Sequence, residues 1–279
     1  MITFITGFNP ISLIMRIAFY LITLMLLSSS LLTEGAPIVS TADKQDLFSI
    51  RIYEMKTKEQ EDRVDKYLQE ALLPALLRQG LGHIGVFKPV GNDTAAFRRI
   101  YVLIPFHSAD QFVRFSAELL KDKHYLADGK EYLDATYSDP PYVRIESILL
   151  QAFPGMPQIA AVSTLKGPAA ERIYELRSYE GPTEKYFQNK MQMFNEGGEI
   201  GLFKRLNFNA VFYASVLSGA HMPNLMYMTS FENMDDRNAH WKTFGDDPFW
   251  KQLVASPEYQ HNVSHVDIVF LHPTGYSAL

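Results

Sequence analysis

The sequence predicts an α+β fold: two ferredoxin-like (split βαβ) units in tandem, packed sheet to sheet into one barrel with helices outside. Three observations carry that prediction. The stretch RIYEMKTKEQ at 51–60 returns as RIYELRSYEG at 172–181. IYVLIPFHSAD at 100–110 returns as LMYMTSFENMD at 225–235, each a strand that ends just before a helix. Around both anchors the elements read strand, helix, strand, strand, helix, strand, which is the order of a split βαβ unit. Such a unit covers one face of its four-stranded sheet with two helices, so the other face must find a partner.

In the first half a strand at 49–55 precedes a helix at 59–79, where Val64, Leu68, Ala71, Leu72 and Ala75 recur at helical spacing. Pro74 lies inside it and predicts a kink or break. Strands follow at 84–89 and 97–106, joined by VGND, then helical material at 109–135 and a strand at 142–151 after SDPP. The second half repeats the order: a strand at 171–177, then a helix at 183–206 with Phe187, Met191 and Phe194 on one face and a weak point at Gly197 and Gly198. Strands at 210–217 and 225–231, a helix at 234–255 and a last strand at 266–271 complete it. GHIGVFK at 82–88 and GEIGLFK at 198–204 look alike, but in register 76–87 meets 203–214, so the first is strand and the second the end of a helix. Tyr174 and Leu176 point away from Ile173, and neither face of that strand is clearly polar, which favours burial on both sides.

The domain plan is a signal peptide at 1–35, a first unit at 48–152, a linker at 153–170 holding PGMP and KGP, and a second unit at 171–279. The leader has one positive charge at Arg16, an apolar run at 17–27, then small and polar residues, the layout of an export signal. That run is well short of the roughly 20 residues a membrane span needs. Met15 is an alternative start, and export to the periplasm or beyond is the expected localisation, without stable membrane insertion after cleavage. The chain is 47% hydrophobic and 20% charged with net charge −5 and no basic run, so nucleic acid is not an expected partner. There is no cysteine, which excludes disulfides, thiolate metal sites and a cysteine nucleophile.

ERIYELRSYEG, LFKRLNFNAVFY, NLMYMTSFENMDDRNAHW and FGDDPFWKQL resemble the NIPSNAP family, within the dimeric α+β barrel superfamily. The resemblance is strong over 171–272, weaker over 48–152, and describes a tandem bacterial protein. Its most typical motifs are the opening strand and the pattern Arg237, Trp241, Phe244, Asp247, Pro248, Trp250. The first half departs from it: QFVRFSAELLKDKHYL lacks both tryptophans and the DDP, and reads as a degenerate copy that completes a pseudo-dimeric α+β barrel. The resemblance implies the fold and a small-molecule cleft between sheet and helices, but no agreed reaction. Superfamily relatives include cofactor-independent monooxygenases, haem-binding enzymes and lactone isomerases, and they commonly dimerise, so a homodimer is open here.

The candidate ligand-binding residues are Arg172, Tyr174, Arg177, Tyr213, Tyr227, His240 and Trp241. Arg172, Glu175 and Arg177 alternate along one strand and, if partly buried, must be paired. They form either a structural ion pair or a hold for an anionic or carbonyl-bearing ligand. The aromatics serve a core or a mainly apolar pocket. His240 either aims into the cleft or lies on the helix surface, and His221 is a turn residue or reaches over the barrel mouth. His261 and His265 have the spacing of a helical metal pair, but they fall where helix gives way to strand and no Glu stands between them, so no metal is expected. Asn92 and Asn262 match the glycosylation pattern. No nucleophile elbow or phosphate loop is present. Three readings remain: an exported small-molecule binder or cofactor-independent enzyme, a haem-handling protein with a histidine ligand, and a structural or interaction module whose barrel is filled.

Overall fold

In the computed structural model, residues 44–160 and 164–279 are described, and the leader expected at 1–35 lies outside them. The first half contributes β1 (Leu47–Met55), α1 (Lys58–Tyr67), a π-helical turn (Leu68–Leu72), α2 (Leu73–Arg78), β2 (Gly85–Pro89) and β3 (Arg98–Phe106). Three short helices, α3 (Ala109–Leu119), α4 (Lys123–Asp128) and α5 (Lys130–Leu133), lead to β4 (Arg144–Ala152). The second half contributes β5 (Ile173–Glu180), α6 (Glu184–Asn195), α7 (Glu199–Arg205), β6 (Asn209–Ser218) and β7 (Asn224–Phe231). It ends with α8 (Met234–Asp246), α9 (Pro248–Ala255) and β8 (His265–Pro273).

The helix starts are set by matching chemistry in both halves. Thr57 and Thr183 accept a hydrogen bond from the backbone N–H three residues on and cap α1 and α6. Ser108 and Asn233 do the same for α3 and α8. Each such cap stabilises by about 1 kcal/mol. Pro74 cannot donate to the carbonyl of Glu70 and its ring crowds that carbonyl, and the chain accommodates it by widening the preceding turn. The helix expected at 183–206 is broken where Gly198 takes φ 88°, a conformation glycine adopts without a Cβ clash. The helix expected as continuous over 234–255 is also broken, because Pro248 has no N–H to donate and Asp247 caps α9 through the N–H of Phe249.

The strands close into an antiparallel eight-stranded barrel in the order β1-β3-β2-β8-β5-β7-β6-β4. Two four-stranded arcs, β4-β1-β3-β2 and β8-β5-β7-β6, are therefore each built from one half of the chain. They are joined by hydrogen-bonded seams, β2 with β8 around Lys88 and His272, and β4 with β6 around Leu150 and Val216. The contact expected between two sheet faces is thus achieved by closure at the edges, which leaves neither arc a bare edge strand.

Alternation sorts the side chains into three cores. Phe48, Ile50, Ile52, Leu150, Leu176, Phe212 and Met228 fill the barrel. Phe48 meets Phe212 at 5.3 Å, and Phe87 meets Tyr174 at 4.7 Å, both contacts between halves. Outside the barrel, Val64, Leu68, Leu72 and Phe115 pack on the first arc, and Phe194, Phe203, Phe208 and Phe244 on the second. Asn92 and Asn262 are both buried. Asn92 donates to Glu61 and accepts from the Arg99 N–H, and Asn262 donates to Asn189, so neither amide is presented for glycosylation.

Candidate ligand site

Glu175 points outward from β5 into the layer beneath α8, and its carboxylate is fully buried. Arg237, Trp241 and Phe244 recur on one face of α8, which brings the first two onto that carboxylate. Arg237 donates to both carboxylate oxygens at 2.8 and 2.9 Å, and the Trp241 indole N–H at 2.7 Å. Arg177 donates at 2.6 and 2.7 Å from β5 itself. Its guanidinium lies 3.7 Å from the Trp241 ring centroid, a cation–π contact between two part-buried groups. Burial alone would raise the Glu175 carboxyl, but hydrogen bonds from Arg237 and the charge of Arg177 outweigh it and hold the group below the usual carboxylate range.

The polar layer continues away from α8. Arg177 donates to the Tyr179 hydroxyl at 3.0 Å, and the Tyr179 and Tyr227 hydroxyls are 2.9 Å apart. Lys190 of α6 and Glu199 of α7 form a buried pair at 2.8 Å. Burial pushes the Glu199 carboxyl up, against the opposing charges of Lys190 and Arg177. Tyr213 packs between Phe194, Phe203 and Tyr227, and its buried hydroxyl has no hydrogen-bond partner. Burial and the neighbouring Glu199 carboxylate raise that hydroxyl's pKa, so it stays protonated.

Arg177, Tyr213, Tyr227 and Trp241 are thus brought together in one layer, and the other three candidates are not. Tyr174 turns into the barrel against Phe87. Arg172 donates to the carbonyls of Gly167 and Leu165 and clamps the linker. Arg172→Ala is expected to cost about 1–2 kcal/mol, as hydrogen bonds from a charged donor are lost; urea unfolding measures the cost and limited proteolysis locates it at 164–171. His240 gives Nδ1 to the carbonyl and carboxylate of Asp236, and its ring lies edge-on to Phe208 and close to Phe231.

Trp241 is surrounded by Arg177, Phe203, Phe208 and Phe244 and is not among the residues that wall the hollow. The hollow lies beyond Phe208. It has a volume of about 430 Å³ and is walled by Met156, Ile200, Lys204, Asn207, Phe208 and Tyr213 among others. Its size is that of a small-molecule site. Lys204 makes no ion pair among the described residues. A larger hollow of about 670 Å³ in the first half runs past Tyr132 and Tyr137, and Tyr137 is wholly exposed there.

Residues 174–278 match the NIPSNAP family. The second half is a NIPSNAP domain. The barrel as a whole is similar to a candidate monooxygenase from Fusobacterium nucleatum, with 8% identity and a TM-score of 0.54 over 83% of this chain and 93% of that one. A second candidate monooxygenase, from Lactobacillus acidophilus, has 11% identity and a TM-score of 0.54 over 82% of this chain and 94% of that one. A NIPSNAP family protein from Agrobacterium tumefaciens is 19% identical, with a TM-score of 0.35, over 42% of this chain and 96% of that one. At such identities the likeness is one of fold. No curated protein is detectably similar to the chain.

Haem needs an axial ligand from the protein. Within the NIPSNAP domain no histidine lines the hollow among the described residues, and His240 is held by Asp236 and by aromatic edges. The residues present therefore do not fit a histidine-ligated haem. The sequence reading also missed the Lys190–Glu199 pair and the role of Lys204 in the hollow. Both depend on how α7 lies against α6 and β6 after the break at Gly198, and local periodicity carries no signal of that contact.

Proposed function

We propose that this protein is exported and binds a small molecule in the hollow of its NIPSNAP domain. One observation carries the reading: a buried tyrosine hydroxyl without a partner, Tyr213, stands beside a cavity of about 430 Å³ whose rim holds the unpaired ammonium of Lys204. A buried unsatisfied hydroxyl costs about 1–3 kcal/mol, and a ligand site is a physical reason to retain one. The walls set apolar side chains such as Met156, Ile200 and Phe208 beside polar ones such as Asn207 and Asn209, and the cationic group is Lys204, so the ligand class that fits is a partly apolar or aromatic molecule carrying a carboxylate or carbonyl. Among the described residues the titratable liners are Lys204 and Tyr213, which supports binding more than acid–base catalysis.

The whole chain is expected to gain thermal stability with aromatic or medium-chain carboxylates, as mass action requires. Lys204→Ala, at an exposed position, weakens that response roughly tenfold, about the value of one charge-assisted contact. Tyr213→Phe leaves unliganded stability unchanged or raises it by about 1 kcal/mol while reducing the response. A carboxylate series that gives no shift, or a shift indifferent to both substitutions, removes the reading.

The same architecture supports a tandem origin for the fold, two ferredoxin-like units whose arcs follow the orders β4-β1-β3-β2 and β8-β5-β7-β6. Because the two arcs already close on each other, a homodimer would use the outer surface rather than barrel strands. A second reading, a non-catalytic module, draws on the barrel interior, which is filled by Phe48, Leu150, Phe212 and Met228. Export rests on the charge and apolar pattern at 16–27. Among the described residues no helix is long and apolar enough to cross a membrane.

A further inference from the structure

At one end of the barrel β5 finishes at Glu180 and β8 begins at His265, and these two residues face each other across the antiparallel ladder. Asp267, two residues along β8, falls on the same side of the sheet. One ligand atom from each of Glu180, His265 and Asp267 lies within 4.8 Å of the other two. His265 Nε2 and Asp267 Oδ1 are already 3.2 Å apart. A tetrahedral zinc ion with nitrogen and oxygen ligands at roughly 2.0–2.1 Å spaces those ligands by about 3.3 Å. One edge of the polyhedron is therefore in place, and side-chain rotation closes the rest, since His265 and Asp267 are each 57% exposed.

One further residue meets this rim. His221, in the turn between β6 and β7, sets Nδ1 3.0 Å from Glu180 Oε1. Glu180 Oε1 is buried and accepts no hydrogen bond from the described residues, so the imidazole stands close enough to turn onto that carboxylate and hold it, the outer-sphere arrangement that orients metal ligands.

We propose that Glu180, His265 and Asp267 form a site for a divalent transition-metal ion of the zinc type, with His221 as a positioning residue. A mixed imidazole and carboxylate set suits zinc and its first-row neighbours, whereas calcium and magnesium prefer oxygen donors throughout. Three protein ligands leave a coordination position for water. His265 takes part through its partners across the sheet, not through His261, which is outside the cluster.

Calorimetric titration of the chelator-treated full chain with zinc chloride tests the site. One saturable site is expected, with no response to magnesium at the same concentrations. His265→Ala and Asp267→Asn each weaken binding roughly tenfold or more, and His221→Ala falls within the ten- to hundredfold range of outer-sphere losses. His221→Gln, which keeps an N–H donor, recovers most of the His221→Ala loss, and His261→Ala binds as the unaltered chain does. His265 and Asp267 are exposed, so their variants are expected to keep the metal-free melting temperature, and circular dichroism verifies it. Absence of saturable zinc binding overturns the site, as does binding that persists unchanged in both His265→Ala and Asp267→Asn.

Discussion

Glu175→Ala is expected to destabilise the fold by about 3–5 kcal/mol, the range for removing one partner of a buried ion cluster. The carboxylate is fully buried and receives hydrogen bonds from Arg177, Arg237 and Trp241. Without it two mostly buried guanidinium groups lose their shared counter-charge, and they cannot neutralise, because arginine keeps its proton. Burial alone would lower the Arg177 pKa, but Tyr227, Tyr179 and Glu175 outweigh it and hold the guanidinium more firmly charged than usual. Glu175→Gln retains shape and hydrogen-bond acceptance and should lose less. Urea unfolding followed by tryptophan fluorescence reads both, since Trp241 and Trp250 lie in this half. A loss under about 1 kcal/mol for Glu175→Ala, the range of exposed pairs, would show the cluster to be dispensable.

The same group sets an acid limit. The folded-state pKa of Glu175 is depressed, so its stabilisation is fully present above the unfolded value of about 4.3. It is lost as pH falls through the folded value. Stability should therefore decline below about pH 4, and Glu175→Gln should flatten that part of the profile. An unaltered acid limb in the variant would assign acid sensitivity to other carboxylates.

Much of the barrel was legible in the sequence because strand parity is a local property. Along β5, Tyr174 and Leu176 against Ile173 indicated burial on both faces, and the structure places the first two inside the barrel. The helix break at Gly198 was equally visible, since glycine marks it. The break at Asp247 was written in the same letters as a family motif, DDP, and its meaning as a stop and a cap needed the chain's actual path. At the site, Arg177 and Trp241 were legible as a charged strand residue and a helix aromatic. Their common partner, Glu175, was visible only as one member of an alternating strand. The hollow is made by Lys204, Tyr213 and Met156 approaching from three segments, and the rim cluster pairs Glu180 with His265 across the sheet. Contacts between distant segments leave no periodic trace.

Phe48→Ala is expected to cost about 3–5 kcal/mol, as for other large-to-small changes at fully buried aromatics. Its more telling consequence lies in the other half of the chain. Phe48 belongs to β1, yet its ring meets Phe212 of β6 inside the barrel. If the two arcs share one cooperative core, removing Phe48 must shift the unfolding of the second arc as much as that of the first. The tryptophans supply a clean reporter, because both stand in the second half, while far-ultraviolet circular dichroism reports on both halves. The two probes should give coincident transitions in the unaltered chain and in Phe48→Ala, displaced by the same free energy. A tryptophan transition that stays in place while the dichroism transition moves or splits would mean that each arc is held mainly by its own helices. Closure at the seams would then be a consequence of folding rather than one of its causes. The continuous ladder and the aromatic contact between halves argue for the first outcome, since neither arc can keep its inner face dry alone.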